Sequence, residues 1–371
     1  MKKVMFLIYS LGSGGAERVL LDTVNHLNQE KYEITLQTLF DEKAFSNQLR
    51  EGIRYRTVFS VKKTVPQKIL SGFVQYLMPA SWVYRLFFKD DYDVEVAFME
   101  AFPTKMIGSS TNKKAKKYAW VHIDVNTYKK QDRLFRSLKA QKKCYEKFDG
   151  IYCVSEGVRQ EFIKKFGISE KTGVAYNILN EEFIQQKKKE FPVLRSGKQM
   201  ELISIGSLIP RKGFERLIKV CSRLKAEGYL FHLRILGKGE LEESLKKMIS
   251  DEDLENEAEL TGFCANPYPY MAASDLYVCP SYVEGFSTVV SEAVILGLPV
   301  VTTECSGMKE ILGESEYGLI TENTEEALYE GMKKILSDKK CFQHYQEKVR
   351  ERADFFKMKT RIREYEKILD Q

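Results

Sequence analysis

Apolar residues run without interruption from Val4 to Tyr9, and a glycine-rich interval, Leu11-Gly-Ser-Gly-Gly15, follows directly. Helical spacing then appears through Val19, Leu20, Val24 and Leu27, and a second strand-like run covers Ile34 to Phe40. Strand, tight loop, helix and strand in that order make a βαβ unit. The second half opens in the same way. Leu202 to Ile205 is apolar, Lys212-Gly213 closes a loop, a helix runs through Phe214, Leu217, Ile218, Val220 and Leu224, and Phe231 to Leu236 forms the next strand. Two such units predict an α/β chain with two doubly wound, Rossmann-like domains. Between them, Gln185-Gln-Lys-Lys-Lys-Glu190 and Ser196-Gly-Lys198 have little to bury, so residues 181–199 are expected as a linker. The expected division is 1–180, the linker, 200–350 and a C-terminal helical segment 351–371, the charged helical pattern itself spanning Tyr345 to Leu369.

Composition narrows the class. A chain of 371 residues that is 43% hydrophobic can bury two cores of ordinary size. Its seven cysteines are odd in number and show neither a C-x-x-C pair nor zinc-like spacing, which fits idle thiols in a reducing cytosol rather than a disulfide framework. Met1-Lys-Lys-Val-Met-Phe-Leu-Ile-Tyr9 is too short for a signal peptide and enters a glycine loop directly, so it reads as the first buried strand. No apolar run reaches the length of a spanning helix. A formal net charge of only +6, with no nucleic-acid-binding motif, gives no reason to expect nucleic acid as a partner.

The chemistry concentrates in Ser281-Tyr-Val-Glu284-Gly-Phe-Ser-Thr-Val-Val-Ser-Glu292-Ala-Val-Ile-Leu-Gly297-Leu-Pro299. Ser287 or Thr288 can cap a helix whose apolar positions are Val289, Val290, Ala293, Val294 and Leu296, with Gly297 ending it and Pro299 beyond. The N–H groups at such a start attract an anion. Glu284 before the helix and Glu292 inside it can then accept from hydroxyls on either side of that anion, the layout of a nucleotide sugar. Two glutamates near a helix start also serve as cap and dipole chemistry, and the residues alone leave both readings open.

This stretch resembles the E-x7-E signature of the retaining glycosyltransferases of family 4. Further landmarks follow in order: Gly14-Gly15-Ala16-Glu17-Arg18, Trp120-Val-His122, Val154-Ser-Glu156, Tyr176-Asn177, Gly206-Ser-Leu-Ile-Pro-Arg211-Lys212-Gly213, Gly237-Lys-Gly239, Ser274-Asp275, Gly307-x-x-Glu310 and Gly318-Leu319. The resemblance implies the GT-B fold, two Rossmann-like domains facing across a cleft. It implies donor contacts from Gly15, Arg211, Lys212, Phe263, Glu292 and the backbone of Phe286, Ser287 and Thr288, with no metal and no cofactor. Glu292 is read as the ribose acceptor, Glu284 as the contact to donor-sugar hydroxyls, and His122 as a contact near the reacting carbon rather than a general base. Gly14, Glu17 and Asp124 fall on the acceptor side; Asp124 shares the face of His122 if the run is a strand. The family usually has arginine where Ser207 stands, which removes one cation from the implied diphosphate clamp. The competing readings are a turn-closing lysine at 212, a structural histidine at 122 and a buried aromatic at 263.

Pro66 to Phe88 is rich in aromatics, is flanked by Lys62 and Lys89, and is broken by Pro79, a pattern that favours an interfacial position over a spanning one. Basic runs at Lys113–Lys117, Lys129-Lys130 and Lys142-Lys143 share that half, either as an attachment to an anionic leaflet or as a solvated face of packed helices. Taken together, the expectation is transfer of a hexose or N-acetylhexosamine from a nucleotide sugar, a UDP-sugar, to a polyprenyl-diphosphate-linked glycan on the inner membrane leaflet, for surface polysaccharide. The alternatives are a nucleotide-sugar epimerase, a non-catalytic partner of another transferase, and an NAD-dependent oxidoreductase; against the last, Glu17 stands where a dinucleotide fingerprint needs a small residue.

Overall fold

The computed structural model describes residues 1–371 except 13, 43–44, 60–64, 89, 127–128 and 198. It divides into two compact units, Met1–Ile178 with Lys359–Gln371, and Leu179–Met358. The first holds strands β1 (Lys2–Ser10), β2 (Tyr32–Phe40), β3 (Arg54–Phe59), β4 (Val94–Ala97), β5 (Lys116–Val121), β6 (Gly150–Cys153) and β7 (Thr172–Val174). The second holds β8 (Met200–Ile205), β9 (Phe231–Leu236), β10 (Ala258–Gly262), β11 (Leu276–Cys279), β12 (Val300–Thr303) and β13 (Leu319–Thr321). The strand orders are β3-β2-β1-β4-β5-β6-β7 and β10-β9-β8-β11-β12-β13. Every pairing is parallel. Helices covering both faces of such sheets favour apolar central strands, which is why Val4 to Ile8 is buried without a break. Phe231 to Leu236 is also buried, its Arg234 paired with Glu201 and Glu259.

Each order reverses once, between β1 and β4 and between β8 and β11. In open parallel sheets ligands bind beyond the strand C-termini at such a reversal. Here those ends lead into Gly12–Gly15 and Phe98–Glu100 in the first unit, and into Gly206–Gly213 and Pro280–Gly285 in the second.

Two expectations about connections change. Within residues 181–199, Glu181–Lys187 is a helix capped by Asn180. It belongs to the second unit, where the Gln185 side chain donates to the Ile295 carbonyl at 2.7 Å. Apolar Ile184, buried in that helix, is what the polar composition around it concealed. The C-terminal pattern is also not one helix. Lys339–Arg352 and Met358–Asp370 are separated by a short tight turn at Ala353–Phe356, and only the second joins the first unit.

The aromatic segment folds as a helix Val65–Gly72, a wider π-type turn Phe73–Leu77 and a helix Ala80–Phe87. Val74, Val83, Tyr84 and Phe88 are buried, whereas Ile69, Leu70, Phe73, Tyr76, Leu77, Trp82, Leu86 and Phe87 are exposed. Lys62, Lys89 and the side chains of Lys129 and Lys130 lie outside the described residues. Among the described residues no helix is long and apolar enough to cross a membrane. All seven cysteines are free thiols.

Candidate functional site

In the second unit the glycine loop and the loop before the Thr288–Leu296 helix are built against each other. Gly213 adopts φ +69°, and a Cβ there would run into the Pro280 carbonyl. Gly307 adopts φ +80°, and a Cβ there would meet the Gly285 carbonyl and Phe286. These glycines let three strand-end loops meet backbone to backbone. Ser287, not Thr288, caps the helix, its Oγ accepting from Val290 N–H at 3.4 Å, and Gly297 at φ +72° ends it.

The contact of the loops brings charge together. Lys212 Nζ donates to Glu284 Oε1 at 2.6 Å, Ser281 Oγ donates to the same oxygen at 2.6 Å, and Arg211 lies 3.9 Å from Oε2. Glu284 is buried. Burial raises its pKa, but the Lys212 ammonium, the Ser281 hydroxyl and the Arg211 guanidinium outweigh that and hold the carboxyl below its usual range. Lys212 and Arg211 place two cations at the sheet reversal, next to a helix N-terminus. Glu292 accepts from the Tyr268 hydroxyl at 3.1 Å. Phe286, at the start of this helix, is buried. Phe263, at 52% exposure, is not a core aromatic; the Lys238 ammonium lies 4.5 Å from its ring centroid.

In the first unit, His122 follows the end of β5 and its ring lies 4.9 Å from that of Phe98. Burial drives its pKa down to about 4, against a hydrogen bond with the Phe98 backbone that acts the other way, so the imidazole is neutral at pH 7. Its Nε2 is shut from solvent and has no partner among the described residues. The carboxylate of Glu100, which sequence reasoning missed, accepts from the backbone N–H of His122 at 2.5 Å and of Ile123 at 3.0 Å. Ala101 beside it adopts φ +64°, a strained backbone for a residue with a Cβ. Because β5 ends at Val121, the face shared by His122 and Asp124 in a strand does not exist. Asp124 instead accepts from Asn126 N–H at 2.9 Å in a turn. Gly14 caps the helix that starts at Gly15, with the Glu17 carboxyl folded back against it. Burial raises the pKa of Glu17. Among the described residues no group of three or more His, Cys, Asp or Glu side chains is arranged to hold a metal ion.

The chain is similar to known glycosyltransferases. The profile for glycosyltransferase family 4 matches residues 13–183, and that for glycosyl transferases group 1 matches residues 185–353. A relative from Campylobacter jejuni, the N-acetylgalactosamine-N,N'-diacetylbacillosaminyl-diphospho-undecaprenol 4-alpha-N-acetylgalactosaminyltransferase, is 31% identical over 96% of both chains. A putative colanic acid biosynthesis glycosyltransferase of Salmonella typhimurium is 35% identical over 36% of this chain and 35% of its own. Among solved structures, Anabaena HepE in complex with UDP superposes with a TM-score of 0.76 at 20% identity, and Staphylococcus aureus TarM in complex with UDP with 0.77 at 14%, each covering 100% of both chains. The two parallel-sheet units are thus those of the GT-B glycosyltransferases, and the chain belongs to the group 1, family 4 glycosyltransferases of bacterial polysaccharide and glycan biosynthesis.

Proposed function

We propose that this protein transfers a hexose or N-acetylhexosamine from a UDP-sugar to a polyprenyl-diphosphate-linked glycan, with retention of configuration and without a metal ion. The observation that carries the donor half is the Lys212–Glu284–Ser281 cluster beside the Ser287-capped helix, at the reversal of the second sheet. Lys212 and Arg211 take the diphosphate as cations, helped by backbone N–H groups of Phe286 to Thr288. Glu284 accepts from donor-sugar hydroxyls, Glu292 from the ribose, and Phe263 lies by the base. On the first unit, Gly14 and Gly15 allow close backbone approach, and neutral His122 is a contact near the reacting carbon rather than a proton sink. Glu17 and Asp124 stand on the acceptor side.

The acceptor reading is supported by the name of the full-length relative, whose substrate is a diphospho-undecaprenol-linked saccharide. Its alpha linkage also fits retention, provided the donor sugar is alpha-linked. Attachment to the inner face of the membrane is supported by the exposed apolar residues between Ile69 and Phe87, with Arg85 among them.

The test is a thermal-shift screen with UDP, GDP, their sugars and NAD, in the presence of chelator. Stabilisation by UDP and more by one UDP-sugar is expected, followed by transfer to a polyprenyl-diphosphate acceptor. A response to NAD alone, or sugar conversion with no acceptor present, would overturn the proposal.

A further inference from the structure

We infer that Arg216 is a positioning residue for the donor pocket, holding the loop that carries Ser281 and Glu284. The inference rests on the donor reading above. Arg216 lies in the first turn of the Phe214–Ala226 helix, where the dipole disfavours a cation, and it is only 2% exposed. Such a guanidinium needs acceptors around it, and the ends of three further strands supply them. Nε donates to the Pro280 carbonyl at 2.7 Å, one terminal nitrogen to the Ser281 carbonyl at 2.7 Å and to Thr303 Oγ1 at 3.1 Å, and the other to Asn323 Oδ1 at 2.9 Å. The ring of Tyr282 covers it, with its centroid 3.9 Å from Cζ.

Its partners hold the same loop. Thr303 Oγ1 donates to the Ser281 carbonyl at 2.6 Å, and Asn323 Nδ2 donates to the Tyr282 carbonyl at 2.9 Å. Arg216 thus fixes the backbone of residues 280–282 from one side. On the other side of that short stretch, Ser281 Oγ and Lys212 Nζ both reach Glu284 Oε1. A loop that slips by a fraction of an ångström separates Ser281 from Glu284 and leaves Lys212 unmatched. The planar fork is what serves four acceptors in different directions; a lysine at this position keeps the charge and loses that geometry.

The experiment compares UDP affinity by calorimetry in the parent, Arg216→Lys, Glu284→Gln and the double variant, each below its melting temperature. Asn323→Ala is added as a milder variant in case Arg216→Lys does not fold. Arg216→Lys is expected to weaken UDP at least tenfold, and Asn323→Ala threefold or more. In the Glu284→Gln background the Arg216→Lys change should cost less than threefold, because the pair it positions is already broken. In transfer assays the loss should fall on the donor KM, with kcat changed less. A folded Arg216→Lys with parental UDP affinity, full additivity in the double variant, or parental affinity in Asn323→Ala where Arg216→Lys is unfolded, overturns the inference alone. Absence of UDP binding by the parent overturns the donor reading and this inference with it.

Discussion

The indole Nε1 of Trp120, on β5, donates to the Tyr365 hydroxyl at 3.1 Å, although the two residues are 245 apart in sequence. Both are fully buried, and their rings lie 5.1 Å apart at an interplanar angle of 38°. The contact fastens the last helix to the first unit, one turn of chain before Lys2 donates to the Leu369 carbonyl and Tyr32 to Asp370. Tyr365→Phe keeps the ring and leaves a buried indole N–H without its acceptor, so it should destabilise the protein by about 1–3 kcal/mol. Equilibrium urea unfolding checks this; a variant equal to the parent would show that the hydrogen bond contributes nothing net.

Removing one member of the Lys212–Glu284 pair should act on the donor first. Lys212→Met is expected to weaken UDP by roughly 10- to 150-fold, the value of a lost hydrogen bond between charged groups. The same change leaves Glu284 buried without its ammonium, so its carboxyl pKa rises. Calorimetry with UDP reads the first effect, and undiminished affinity removes Lys212 from the diphosphate site.

Glu100 and His122 titrate in opposite senses. Burial raises the Glu100 carboxyl from 4.5 to about 7 and lowers the His122 imidazole from 6.5 to about 4. The raised acid contributes stability that is present below 4.5 and lost as pH climbs to about 7; the lowered base contributes stability present above 6.5 and lost as pH falls to about 4. Between these limits the two slopes offset one another. Glu100→Gln leaves the histidine slope alone, so on going from about pH 6.5 to about pH 5 its Tm should drop by about 2–4 °C more than that of the parent. Parallel Tm profiles for the two proteins would contradict the assignment.

Trp82 and Leu86 are 62% and 67% exposed, so replacing both with serine should leave stability within about 0.5 kcal/mol. Co-sedimentation with anionic vesicles should fall severalfold. Vesicle binding equal to that of the parent would argue against attachment through this segment.

The glycine contacts make a steric prediction. Gly213→Ala places a methyl on the Pro280 carbonyl at a positive φ, and both effects oppose it. A loss of stability of more than about 1 kcal/mol is expected, together with weaker UDP binding, because Lys212 is the preceding residue. Gly228, at φ +85° with open space around it, is the control: Gly228→Ala carries only the conformational penalty.

The sequence by itself determined the class of fold. Central strands of parallel sheets are buried on both faces, so Val4 to Tyr9 shows as an unbroken apolar run and Leu202 to Ile205 as a nearly unbroken one, and the glycine loops mark where each first strand turns into its helix. A cap at Ser287 or Thr288 and the Gly297 stop were legible because they are local chemistry, decided within a few residues, and the structure chose Ser287. The spacing of Glu284 and Glu292, with the landmarks around it, suggested the family, and the relatives confirm that family. What only the tertiary structure decided are the contacts between distant segments. No local signal in Glu100 says that its carboxylate will meet the backbone after β5, and none in Tyr365 says that it will meet Trp120. Asp124 shares a face with His122 only if the strand continues past it, and β5 stops at Val121, because the end of a strand depends on its neighbours' lengths as well as on its own residues. Arg216 reads as an ordinary basic residue on a surface helix until the ends of three other strands close around it. Periodicity reports which face is buried, whereas the partners on that face are set by how the sheet brings its strand ends together.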